Sequence, residues 1–276
     1  MLVVAWVVLG LVILYGAMFS YLWWFQRDLI YRPDSIRPTS KDYARFGVKE
    51  VTIRTEDGLD LLAWWFPPKR SEAPVFLYLH GNAGNLGYRA EKIGTYLSEG
   101  LGVLLLAWRG YSGNQGAPSE NGLYEDGRAA YSWLKSQKIK EEKIVLYGES
   151  LGTGIAVHLA YKGMGTALIL ETPFSSLPEA AQSHYPFFPA NWIVKDKFDS
   201  LLKIGSLEQP ILIGHGKKDY VIPFRLAAKL FNAAPEPKKF SVYEEAGHNN
   251  LAEFGWPSVV INFLNEHISV VQDPNK

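Results

Sequence analysis

Ile144-Val145-Leu146-Tyr147-Gly148-Glu149-Ser150-Leu151-Gly152-Thr153-Gly154-Ile155-Ala156-Val157-His158-Leu159-Ala160-Tyr161 decides the reading of this chain. Ile144–Tyr147 is a short continuous apolar run, the pattern of a strand buried on both faces. Leu151–Tyr161 has helical spacing. Between them stands Gly148-x-Ser150-x-Gly152. A strand that turns into a helix this abruptly strains the residue at the corner and leaves no room for side chains beside it. Glycines at 148 and 152, and again at 154, meet that demand. The hydroxyl of Ser150 then stands at a helix N-terminus, where partial positive charge favours a developing anion. A glycine-rich turn with no chemistry is the alternative.

A serine hydroxyl needs a base. Of the six histidines (His80, His158, His184, His215, His248 and His267), His248 follows the last expected strand in Glu245-Ala246-Gly247-His248-Asn249-Asn250. Loops at the carboxyl edge of a parallel sheet are where α/β folds carry their sites. His184 is the second choice. The base needs a carboxylate to fix its tautomer. Asp219, in His215-Gly216-Lys217-Lys218-Asp219 after the strand Ile211–Ile213, completes a Ser, Asp, His order; Asp196, Asp199 and Glu171 are the alternatives. A tetrahedral intermediate also requires N–H donors. The expected ones are Leu151, after the serine, and Asn82, in His80-Gly81-Asn82-Ala83-Gly84-Asn85 after the strand Val75–Leu79. That loop has neither dinucleotide nor Walker spacing.

Outward from this centre, strands and helices alternate. Strands are expected at Val48–Thr55, Leu59–Phe66, Val75–Leu79, Val103–Trp108, Ile144–Tyr147, Ala167–Leu170, Ile211–Ile213 and Phe240–Tyr243. Helices are expected at Tyr88–Ser98, Leu123–Leu134, Leu151–Tyr161, Phe224–Phe231 and Val259–His267. This rhythm predicts an α/β fold, a mostly parallel sheet with helices on both faces. Glu56-Asp57-Gly58 predicts a hairpin at one edge. Residues 173–207 break the rhythm with Tyr185-Pro186-Phe187-Phe188-Pro189 and Trp192, and read as a short lid insert or as a packed surface loop.

The 276 residues carry 28 basic and 28 acidic side chains, so no basic excess points to nucleic acid. The absence of cysteine excludes disulfides, a thiol nucleophile and zinc–thiolate sites. Leu2–Phe25 holds no charged residue. At ~1.5 Å per residue it spans roughly 36 Å, enough to cross a membrane, and Tyr21, Trp23 and Trp24 mark an interface. A cleaved signal peptide and a buried core helix are alternatives. The expected organisation is an N-terminal transmembrane anchor at 1–26, a linker at 27–47 and a catalytic domain at 48–271. Arg27, Arg32, Arg37 and Lys41 after the span predict a cytoplasmic catalytic domain.

Strand-His80-Gly81-Asn82, Arg109-Gly110-Tyr111, Gly148–Gly152, Glu171-Thr172-Pro173-Phe174, His215–Asp219 and Gly247-His248 follow one another in this order. Together they resemble the Bem46/ABHD13-like, membrane-anchored branch of the α/β-hydrolase superfamily, over about residues 48–268. The resemblance implies an α/β-hydrolase fold and hydrolysis of ester, thioester or amide bonds through an acyl-enzyme; depalmitoylases are among similar proteins. The expected activity is acyl-ester or thioester hydrolysis on a lipid-linked or small-molecule substrate, with no metal or cofactor. A serine peptidase, using Glu149 and Glu171 to hold an amine, and a non-catalytic membrane scaffold are the rivals. The oligomeric state is left open.

Overall fold

The structure is a computed structural model and describes residues 1–268. Eight strands form one sheet: β1 (Lys49–Arg54), β2 (Asp60–Phe66), β3 (Val75–Leu79), β4 (Gly102–Leu106), β5 (Ile144–Glu149), β6 (Ala167–Glu171), β7 (Ile211–Gly216) and β8 (Lys238–Tyr243). Their order is β8-β7-β6-β5-β3-β4-β2-β1. From β3 onward the neighbours in this sheet pair in parallel except where β4 meets β2; β2 runs antiparallel to both β1 and β4. This is the expected mostly parallel sheet with an antiparallel edge. The hairpin lies at Asp57-Gly58, where Gly58 takes φ +91° and its N–H donates to the Thr55 carbonyl.

Helices of eight residues or more are α1 (Leu2–Ile30), α2 (Glu120–Ser136), α3 (Leu151–Tyr161), α4 (Leu177–His184), α5 (Phe224–Ala233) and α6 (Trp256–His267). Every side chain of β3, β4 and β5 is buried, which is why these strands read as unbroken apolar runs rather than alternating ones. The core is split by the sheet. Leu77, Leu146, Ile155 and Leu226 pack on one face, and Phe76, Tyr78, Tyr147, Trp256 and Phe263 on the other.

Three expectations are revised. The helix expected at Tyr88–Ser98 is two short ones, Gly87–Ala90 and Gly94–Ser98, with Gly94 at the break. The helix expected to end the anchor at 26 continues to Ile30, because Gln26 and Arg27 find partners on the insert. The segment 27–47 is not a free linker. Arg32–Pro33 pairs in parallel with Ala83–Gly84, Asp34 accepts from Ser112 N–H and Asn85 Nδ2, and Ser40–Phe46 is a 3₁₀ helix. The expected domain end at residue 271 lies outside the described residues. The insert contains α4 and two single turns, Ala190–Ile193 and Leu201–Ile204, as its prolines require.

Candidate active site

The corner between β5 and α3 sets the site. Ser150 has φ 50° and ψ −115°, a backbone conformation costly for any residue with a Cβ. Its surroundings enforce it. A Cβ at Gly152 would fall 1.9 Å from the Leu79 carbonyl oxygen, and one at Gly148 would fall 2.6 Å from Thr153 Cα. Gly154 has less acute need, since its nearest neighbour would be Phe198 Cβ at 2.9 Å. Ser150 N–H donates to the Glu171 carbonyl at 2.9 Å, and Thr153 Oγ1 donates to the Ser150 carbonyl at 2.6 Å. The turn is therefore tied to β6 on one side and to α3 on the other.

Two loops at the carboxyl ends of neighbouring strands bring the partners. Gly216 closes β7 so tightly against the last loop that a Cβ there would lie 2.1 Å from the Ala246 carbonyl oxygen. Lys218 N–H donates to that carbonyl at 3.0 Å, and Gly247 N–H donates to Asn250 Oδ1 at 2.9 Å. The outcome is a connected line of three side chains. Ser150 Oγ lies 2.9 Å from His248 Nε2, and His248 Nδ1 lies 2.7 Å from Asp219 Oδ2. A carboxylate on Nδ1 fixes the proton there and leaves Nε2 as the acceptor for the serine hydroxyl.

Asp219 is held as an anion. Burial works against its charge, but the hydrogen bond and charge of His248 and the Ile222 N–H outweigh burial and hold the carboxyl below its ordinary range. Its Oδ1 accepts from both Val221 N–H and Ile222 N–H at 2.8 Å. His215, which the sequence reading passed over, stands 3.3 Å from Asp219 Oδ2, and its Nε2 donates to the Ile222 carbonyl at 2.9 Å. Burial lowers the pKa of His215, so it is a neutral prop for the acid loop.

Asn82 sits beside the serine: a Cβ at the preceding Gly81 would lie 3.4 Å from Ser150 Cβ. The Asn82 carbonyl accepts from Arg32 N–H at 2.9 Å and from Tyr111 Oη at 2.8 Å. Its side-chain Nδ2 donates to the Ile30 carbonyl at 2.8 Å. The Asn82 and Leu151 N–H groups have no protein acceptor among the described residues. Arg109, three residues after the β4 strand end, braces this rim through Asp126 and Asp57.

The alternative residues are occupied elsewhere. His184 Nε2 meets the Val221 carbonyl, and His158 stacks on Tyr124 at 3.6 Å. Asp196 takes Arg27 and Tyr31, and Asp199 accepts from Leu202 N–H. Glu171 and Glu149 both pair with Lys92, at 2.7 and 3.2 Å, and accept from Tyr147 and Tyr78. That buried network was not foreseen, and it occupies both carboxylates proposed for binding an amine.

Beside Asn82 and Ile222 opens a mainly apolar cavity of about 540 Å³, walled by α1 and by the insert. Its size falls within the usual range for ligand pockets.

Comparison with known proteins agrees with this architecture. The family model described as alpha/beta hydrolase fold matches residues 74–189. A Mycobacterium tuberculosis protein, MT2364, is 39% identical over 84% of this chain and 83% of its own. Protein bem46 of Schizosaccharomyces pombe is 29% identical over 90% and 88%, in keeping with the expected Bem46 likeness. Lysophosphatidylserine lipase ABHD12 of Danio rerio is 35% identical over 64% of this chain and 52% of its own, so the chain spans about half of that relative's length. The Pyrococcus furiosus esterase Pf2001 shares the fold with a TM-score of 0.71 at 21% identity, over 86% and 99%. With its sheet order, the alpha/beta hydrolase family model across its centre, and the likeness to protein bem46 over most of both chains, the chain belongs to the α/β-hydrolase family.

Proposed function

We propose that this protein is a serine hydrolase that cleaves carboxylic ester or thioester bonds of lipidic, membrane-located substrates through an acyl-enzyme on Ser150. The observation that carries it is the continuous hydrogen-bonded line from Ser150 Oγ through His248 to Asp219 at a strained corner.

Ser150 Oγ attacks the carbonyl carbon as His248 Nε2 takes its proton. Asp219 holds the imidazole in the needed tautomer and stabilises the imidazolium. The Asn82 and Leu151 N–H groups receive the oxyanion; one such donor is typically worth about 10²–10³ in kcat. His248 then protonates the leaving oxygen or sulfur. Water, activated by the same nitrogen, releases the acid and restores Ser150. The two N–H groups cost no reorganisation during the reaction, because β3, β5 and α3 already fix them.

The apolar cavity favours an acyl chain, and the relative named as a lysophosphatidylserine lipase supports a lipid ester. α1 serves as a membrane anchor: Leu2–Phe25 carries no charge, and none of it is buried. The basic residues that follow it, Arg27, Arg32, Arg37 and Lys41, favour a cytoplasmic side for the catalytic domain. The peptidase reading loses its support, because Glu149 and Glu171 are neutralised by Lys92 and Arg89 within the core. A purified full chain in detergent, assayed with p-nitrophenyl acyl esters and amino-acid anilides, tests the proposal. Ester turnover that Ser150→Ala abolishes is expected. Anilide turnover alone, or ester turnover that survives Ser150→Ala, would overturn it.

A further inference from the structure

We propose that α1 is one wall of the acyl-chain site as well as an anchor, so that an acyl chain of a membrane lipid enters sideways from the bilayer between α1 and the insert. The inference rests on the Ser150 hydrolase reading and adds to it where the chain lies and which residues measure it.

Along α1, the residues that are not exposed are Phe19, Leu22, Gln26, Leu29 and Ile30. Their spacing puts them on one helical face. An anchor surrounded only by lipid has no reason for such a face. Here Leu22, Leu29 and Ile30 line the cavity, opposite Leu177, Phe188 and Ile193 of the insert. Leu22 and Leu29 are seven residues apart, so the wall extends about 10 Å along the helix axis. The cavity is lined by Asn82, whose neighbour Gly81 packs against Ser150, and by α1 from Leu22 to Ile30.

The insert follows α1 into the apolar region. Tyr15 stacks on Phe188 with ring centroids 5.1 Å apart and planes 1° from parallel, and its hydroxyl donates to the Phe187 carbonyl at 3.0 Å. Tyr15 lies ten residues before the end of the uncharged run at Phe25, about 15 Å along the helix. Phe187 and Trp192 are 85% and 84% exposed. Both are explained if this part of the insert faces hydrocarbon rather than water, since exposed apolar patches mark such surfaces.

Polar contacts at the membrane exit fix this wall in place. Gln26, 5% exposed, donates to the Ile193 carbonyl at 3.1 Å and accepts from Lys195 N–H at 2.7 Å. Arg27 grips Asp196 with two nitrogens at 2.9 and 3.1 Å, and Tyr31 donates to the same carboxylate. A bidentate guanidinium–carboxylate pair fixes orientation as well as proximity. Past this latch the chain reaches the oxyanion loop, through Asn82 Nδ2 on the Ile30 carbonyl and Arg32 N–H on the Asn82 carbonyl. Anchor, chamber and reacting centre are thus one continuous contact.

The test uses the full chain in lipid nanodiscs. The ratio of kcat/KM for p-nitrophenyl palmitate to that for p-nitrophenyl acetate is measured for wild type, Leu22→Trp and Leu29→Trp. Filling the wall is expected to lower the ratio by about 10-fold or more, within the range that a pocket filled or emptied by a few carbons commands. Ile13→Trp, on the opposite helix face, leaves it unchanged. Should the tryptophans impair folding, thiol protection gives a second reading, because the chain has no cysteine of its own. Maleimide labelling of Leu22→Cys is expected to be slowed after reaction with hexadecyl fluorophosphonate and not after its methyl counterpart, with Ile13→Cys indifferent to both. An unchanged ratio, or a Leu22→Cys equally reactive after both reagents, overturns the wall while leaving the hydrolase reading intact. A wild type that neither hydrolyses acetate nor takes up either phosphonate overturns the hydrolase reading itself.

Discussion

His215 Nε2 lies 3.3 Å from Oδ2 of Asp219, the same oxygen that receives His248. The stronger partner of that nitrogen is the Ile222 carbonyl, at 2.9 Å. His215 thus ties down the loop whose N–H groups hold the other Asp219 oxygen. It positions the acid without touching substrate. Replacing it by Ala removes one buried hydrogen bond, a change of about 1–3 kcal/mol. We expect His215→Ala to lower kcat roughly 10-fold with little change in KM, and to lower the denaturation midpoint. Steady-state kinetics on a soluble ester would show it. A rise in KM at constant kcat would assign His215 to substrate binding instead.

Lys92 is the only cation within 3.5 Å of both Glu149 and Glu171 among the described residues. Burial disfavours its charge, yet the two carboxylates hold its pKa above the ordinary value. Lys92→Met would strand the buried Glu171 and leave Glu149 with Arg89 alone, and breaking such a pair costs about 3–5 kcal/mol. A large fall in thermal midpoint is expected. Adding Glu171→Gln should recover part of it, because one uncompensated charge is then gone. Melting curves of the single and double variants check this, and a double variant no more stable than Lys92→Met would contradict it.

His80 makes stability depend on pH. Burial, helped by the nearby Arg89 charge, pushes its pKa down from 6.5 to about 3. The unfolded chain therefore takes up a proton below pH 6.5 that the folded protein refuses. The contribution is complete above pH 6.5 and is lost as pH falls toward 3, by at most about 1.4 kcal/mol per pH unit. His158 and His215, also shifted down, act in the same direction. Denaturant titrations at pH 7 and pH 5 should show wild type losing more stability than His80→Asn. Equal losses would contradict this reading of His80.

A corner glycine is needed far more than a glycine that ends a surface turn. Gly152→Ala drives a methyl into the Leu79 carbonyl, a backbone atom of the central strand that has nowhere to go. We expect a loss above about 3 kcal/mol, beyond ordinary overpacking. Gly205→Ala, with only the Ala233 carbonyl at 3.5 Å and an ordinary φ of −67°, should change stability by less than about 0.5 kcal/mol. Comparing expression and melting of the two variants decides it.

These glycines also explain why so much of the fold was legible. A backbone that must pass within contact distance of another leaves glycine in the sequence, so Gly148 and Gly152 announced the corner. Strands buried on both faces announced themselves as apolar runs at Val75–Leu79 and Ile144–Tyr147. Asp219 was readable because it comes soon after the buried strand Ile211–Gly216, and His248 because it lies in the loop after the last strand, Lys238–Tyr243, although that strand is only partly buried. What escaped notice was made by distant encounters of ordinary residues. Lys92 meets Glu149 and Glu171 on one face of the sheet, at the ends of β5 and β6, and nothing near any of the three signals the others. Gln26 looked like the end of an anchor, and Arg27 and Tyr31 like the start of a linker, because their partners, Ile193 and Asp196, lie more than 160 positions away.

The central claim is that the hydroxyl of Ser150 is made reactive by His248. Treating the full chain with a fluorophosphonate and mapping the modified residue by peptide mass spectrometry tests it most directly. The account predicts one phosphonate, on Ser150, with labelling slowed by at least about 100-fold in His248→Ala. Label on another residue, or a Ser150 that reacts equally fast without the imidazole, would contradict it.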